Sequence, residues 1–104
     1  MVNVRIVRNN RLISSLQISG HANAAEYGKD LVCAGISSIA VGLANAIDIL
    51  NKESCIVDVD ENFVSISVVN NNEIIQTILK TGIIQLQTIE EQFPENIRIK
   101  ITEV

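Results

Sequence analysis

Leu31-Val32-Cys33-Ala34-Gly35-Ile36-Ser37-Ser38-Ile39-Ala40-Val41-Gly42-Leu43-Ala44-Asn45-Ala46-Ile47-Asp48-Ile49-Leu50 is the stretch on which the fold turns. It is apolar nearly all round at helical spacing and has the length of a bilayer span. Asn45, Asp48, two serines and two glycines interrupt it, and Asp30 precedes it. Such residues are expensive at bilayer depth. The stretch therefore reads as the buried central helix of a folded domain, covered on more than one side. Asp30 is its expected N-cap, because a carboxylate there accepts from the unpaired amides of the first turn. The helix runs to about Asn51.

Outward from this helix the period changes from 3.6 to 2. Val2 to Arg8 alternates apolar and polar, Asn9-Asn10 signals a turn, and Leu12 to Ile18 reads as the returning strand. On the other side, Cys55 to Val59 and Phe63 to Val69 read as two strands around the turn Asp60-Glu61-Asn62. Asn70 to Asn72 opens a second, amphipathic helix. Ile74, Ile75, Ile78, Leu79, Leu86 and Ile89 form its expected apolar face, with Glu, Gln and Lys opposite. Gly82 is a candidate kink. Phe93-Pro94 ends the helix and Ile97 to Ile101 is a closing strand. The order is β-β-α-β-β-α-β, an α+β domain of largely antiparallel strands packed on the central helix and the second helix.

At 104 residues the chain is one domain, residues 1–104. Its composition is 47% hydrophobic but only 3% aromatic, so the core is aliphatic and needs no disulfide or metal staple. Charged residues are 19%, below the usual share, which favours a partly covered surface and hence a dimer. The net charge of −4 and scattered Lys and Arg exclude a protein built mainly to grip duplex nucleic acid, and suit a basic peptide or protein partner. Two cysteines make no disulfide framework, and the start of the chain reads as a strand rather than a leader. The cytoplasm is the expected compartment, with no membrane association.

One segment departs from core-building logic. Ser19 to Lys29 has small residues, two glycines and no consistent period, so it reads as a long loop. It holds His21, the only histidine, and leads to Cys33, placed by the expected cap in the first turn of the helix. Unpaired amides and the helix dipole there favour a thiolate over a thiol, and could hold the oxyanion of a tetrahedral intermediate. A nearby imidazole would complete the activation. Ser37 lies one turn beyond Cys33 on the same face. Gly35 costs helix stability and so serves either close approach of a substrate backbone or tight packing. Asp30 could orient His21 as well as cap. Each residue also has a plainer reading: His21 as a surface or packing residue, Cys33 as a small hydrophobe. Cys55 reads as structural. A zinc site from His21, Asp30 and Cys33 lacks the usual ligand spacing and a fourth candidate, so neither metal nor cofactor is expected.

The runs Ser19-Gly20-His21-Ala22 and Tyr27-Gly28-Lys29-Asp30-Leu31-Val32-Cys33-Ala34-Gly35-Ile36-Ser37 resemble the ribosomal-processing cysteine protease family (Prp). The pattern joins two glycines, an acid, a histidine and a cysteine at set spacing, and chain length and element order fit along essentially the whole sequence. The resemblance implies a cysteine endopeptidase that removes the short N-terminal extension of large-subunit ribosomal protein twenty-seven, cutting after an aromatic pair. It implies Cys33 as nucleophile and His21 as base, with Asp30 and Ser37 in support. It further implies a homodimer, and a loop around Gly20, Ala22, Tyr27 and Gly28 that closes over the peptide. Ala34 and Gly35 are the expected oxyanion or close-approach positions. The competing reading is a non-enzymatic factor that binds a ribosomal protein and assists ribosome assembly.

Overall fold

The computed structural model describes residues 1–20 and 27–104, with the backbone alone for 27–30. The elements are β1 (Val2–Asn9), β2 (Leu12–Gly20), α1 (Tyr27–Leu50), a 3-10 turn (Lys52–Ser54), β3 (Cys55–Asp60), β4 (Phe63–Val68), α2 (Glu73–Gln92) and β5 (Ile97–Glu103). This is the expected β-β-α-β-β-α-β order. The strands form one sheet in the order β3-β4-β2-β1-β5. Three neighbouring pairs are antiparallel, and β1 with β5 is parallel.

Period-2 alternation puts Val2, Val4, Ile6, Leu16, Ile18, Val64, Ile66 and Ile97 on one sheet face, and both helices cover that face. The step from Ile13 to Leu16 breaks the period because of a bulge. Val7 faces Ser15 and Arg8 faces Ile13, so Ser14 is the extra residue, and its hydroxyl donates to the Val7 carbonyl at 3.1 Å.

The turn between β1 and β2 is Asn10-Arg11, one residue later than the Asn-Asn signal. Both residues are left-handed, at φ 51° and 68°, as a type I′ hairpin requires. Asn tolerates this conformation, whereas arginine bears a strain of about 1 kcal/mol. Arg11→Gly is therefore expected to raise stability by about that amount, a gain of roughly 4–8 °C in a thermal melt. An unchanged midpoint would show that the turn carries no such strain.

On α1, Val32, Ile36, Ala40, Leu43 and Ile47 are buried at spacings of four and three. The sheet covers that side and α2 covers a flank. The remaining side is exposed, with Leu31 and Ile49 at 77% and 78%. The helix begins at Tyr27, before the expected cap, so Asp30 is its fourth residue and not its N-cap. No proline or β-branched residue stands between Ala22 and Leu31 to stop a helix from starting early. Cys33 is consequently the seventh residue, in the second turn, and its amide falls within the helical ladder rather than among the unpaired donors.

Helix α2 is capped by Asn72, whose side chain accepts from the Ile75 amide at 2.9 Å. Its inward face differs from the expected one: Gly82 and Ile83 join it, and two further positions trade places. Ile74 is exposed and Gln76 is buried, because Gln76 completes the pairing of β2. A single helix also runs through Gly82. A Cβ there would lie 2.5 Å from a Leu43 methyl, so the glycine serves close approach of α1 and α2.

Candidate active site

Cys33 and Ser37 line one pocket of about 220 Å³ between α1 and the sheet. Cys33 is half-buried and packs against the core, while Ser37, one turn on, is exposed. Val2, Ile18, Ile36, Ala40 and Val64 make the lining largely aliphatic. The facing wall is the β3–β4 hairpin, six consecutive residues from Val59 to Val64. Asp60 and Glu61 are acidic members of this wall, and no lysine or arginine lines the pocket among the described residues. The Asp60 side chain accepts from the Glu61 amide at 2.7 Å, which fixes the turn.

Gly20, at the end of β2, lines the same pocket. Its φ of +90° and the 2.6 Å that would separate a Cβ from the Met1 carbonyl oxygen admit only glycine. The chain therefore leaves β2 at the pocket, and the next residue is His21. His21 and Ala22 lie outside the described residues, as do the side chains of Tyr27 and Asp30. Tyr27 and Gly28 open α1. Ala34 and Gly35 follow Cys33 but are not among the pocket residues. A Cβ on Gly35 would meet the Ile89 Cδ1 at 3.6 Å, ordinary contact, so this glycine faces α2.

The second thiol sits in a different setting. Cys55 starts β3, at the end of the strand opposite Asp60. Burial pushes its thiol above the usual cysteine range, and a hydrogen bond from the Ser54 hydroxyl at 3.6 Å only partly opposes this. A thiol held neutral in this way is a poor nucleophile. The zinc alternative rests on His21 and the Asp30 side chain, outside the described residues.

The arrangement can hold an extended apolar segment against a thiol, with an acidic hairpin turn forming one wall. Sequence reasoning missed the hairpin wall. Asp60-Glu61-Asn62 reads as a turn, but nothing local to it says that β4 pairs with β2 and so brings the turn beside Gly20.

Comparison with known proteins gives one consistent result. The family model described as Cysteine protease Prp matches residues 1–98. The Ribosomal processing cysteine protease Prp of Staphylococcus aureus is 42% identical over 103 residues, covering 95% of this chain and 97% of that protein. The Bacillus subtilis protein of the same name is 32% identical over 94 residues, covering 84% of each. The crystal structure of the S. aureus protease with a covalently linked product peptide superposes with a TM-score of 0.89 at 39% identity, covering 98% of this chain and all of that one. Matched along nearly its whole length in both sequence and fold, the chain belongs to the cysteine protease Prp family.

Proposed function

We propose that this protease removes a short N-terminal extension from large-subunit ribosomal protein twenty-seven, cutting after an aromatic pair, with Cys33 as nucleophile and His21 as base. The observation that carries the reading is the shared pocket: Cys33 and Gly20, the residue that precedes His21 in the sequence, line it together. The name of the S. aureus relative supports a ribosomal substrate, and its covalently linked product peptide supports a covalent route. The aliphatic lining suits large apolar side chains.

In the proposed reaction the Cys33 sulfur attacks the scissile carbonyl carbon and its proton passes to His21. Collapse of the tetrahedral intermediate breaks the C–N bond, and the imidazolium protonates the leaving amine. Water, deprotonated by His21, then attacks the thioester and releases the acid and the thiol. Ser37 is proposed to hydrogen-bond the sulfur or the peptide, and Asp30 to support His21. A homodimer would cover the exposed Leu31, Val41 and Ile49 side of α1. The cytoplasm, where thiols stay reduced, is the proposed setting.

The direct test is to incubate the protein with a peptide spanning the extension junction and follow product masses. Two fragments whose masses sum to the peptide plus one water are expected; an intact peptide after long incubation would overturn the reading. Alkylation gives a second check. With His21 activating it, Cys33 is expected to react with iodoacetamide at pH 6 at least about tenfold faster than Cys55, and His21→Ala to remove that advantage. Equal rates at the two cysteines would count against activation.

A further inference from the structure

We propose that the free edge of β3 binds the substrate as an added sixth strand. β3 is the terminal strand beside β4. The direction of its backbone groups follows from the ladder. The Val69 amide donates to the Ser54 carbonyl at 2.8 Å, one position before the Cys55–Val68 pair. Antiparallel pairing alternates, so Ile56, Asp58 and Asp60 exchange bonds with β4. Val57 and Val59 therefore point their N–H and C=O groups away from the sheet. The other side of β4 agrees: the Gly20 amide donates to the Asn62 carbonyl at 3.2 Å, which turns Val64 and Ile66 toward β2 and leaves Phe63, Ser65 and Ser67 for β3.

Val59 thus has two faces toward a ligand. Its side chain lines the Cys33 pocket and is 55% exposed, while its backbone offers a donor and an acceptor at the sheet edge. The other edge, β5, lies four strands away and cannot present a chain to Cys33. An extended peptide along β3 would satisfy the outward groups at Val57 and Val59 and pass beside the thiol. The charge pattern selects the occupant. Asp58 and Asp60 project from the open sheet face of the same strand, so a second copy pairing edge to edge would oppose carboxylate to carboxylate. A cationic peptide meets no such barrier. The proposal rests on Cys33 as the nucleophile, and the test separates the two.

Cys33→Ala protein, which should bind without turnover, is saturated with the junction peptide and read by amide hydrogen exchange. The Val57 and Val59 amides are expected to slow at least about tenfold, while Ile56 and Asp58, already bonded to β4, change little. Peptide binding without that protection, or no binding, overturns the proposal. Wild type is run in parallel. Cleavage without edge protection sinks the added strand alone, and edge protection without cleavage sinks the catalytic reading alone. Val59→Pro, which removes an outward donor at a position where an edge strand tolerates proline, is expected to raise KM at least about tenfold with kcat within about twofold. If that variant fails to fold, N-methylation of single peptide nitrogens tests the same bonds from the other side. One position is expected to raise KM as much, and a flat scan overturns the proposal.

Discussion

Cys33→Ala is expected to lower turnover of the junction peptide by at least about 10³-fold while leaving the fold intact. Cys33 is only half-buried at the edge of the core, so loss of one sulfur removes little packing. A thermal midpoint close to wild type would confirm that the loss is chemical. His21→Ala should fall by a comparable factor, because nucleophile and base act as one unit and deleting either removes most of what the pair supplies. Cys55→Ala is the control: its thiol is kept neutral by burial and lies outside the pocket, so activity should stay within about twofold. Wild-type cleavage by Cys33→Ala would remove this residue from the mechanism. A non-enzymatic binder predicts a different pattern, in which Cys33→Ala binds the ribosomal protein normally and wild type never cleaves it.

The fold was legible in this sequence because strands and helices differ in period, although α1 reads as apolar nearly all round and only the structure shows one side of it, with Leu31, Val41 and Ile49, to be exposed. Val2-Val4-Ile6 alternates without exception, and Val32-Ile36-Ala40-Leu43-Ile47 makes one helical stripe. The failures occur where a tertiary partner overrides a local signal. Asp30 looks like a cap by type, but the helix has already begun at Tyr27, and capping chemistry cannot be assigned without knowing where the chain enters. Gly82 looks like a kink, yet Leu43 from another helix explains it. The site was half legible. Gly20, Cys33 and Ser37 stand out within one short segment, and the structure places all three on one pocket. The opposing wall comes from Val59 to Val64, remote in sequence, and only the strand order β3-β4-β2 brings it there. Period-2 patterning tells which face of a strand is buried, not which strand is its neighbour.

Gln76 is where that limit has its largest energetic consequence. As a polar residue on an amphipathic helix it reads as solvent-facing, yet it is 6% exposed. The reason lies in β2, which runs from Leu12 while its neighbour β4 ends at Val68. Ile13, beside the bulge, has lost that strand. Its amide donates to the Gln76 Oε1 at 2.9 Å, and the Gln76 Nε2 donates to the Ile13 carbonyl at 2.8 Å and to the Asn71 Oδ1 at 2.8 Å. One side-chain amide therefore replaces the missing strand. Gln76→Leu fills the space but leaves a buried N–H and C=O unpaired, at about 1–3 kcal/mol each. We expect a loss of about 2–4 kcal/mol, a large share of a stability of roughly 5–15 kcal/mol, and a fall in melting temperature on the order of 10–25 °C. Gln76→Glu refines the test through its pH dependence. The carboxylate keeps an acceptor for the Ile13 amide but faces the Ile13 carbonyl without a donor, so folding favours the protonated acid and raises its pKa above the unfolded value. The sign follows from linkage: stability is fully present below the unfolded glutamate range near about 4.3 and is lost as pH rises through the higher folded value. Relative to wild type, Gln76→Glu should thus be closest in stability near pH 4 and weakest above neutrality. A pH-independent difference would mean that the Ile13 carbonyl finds another donor, and with it that Gln76 is not what completes the edge of β2.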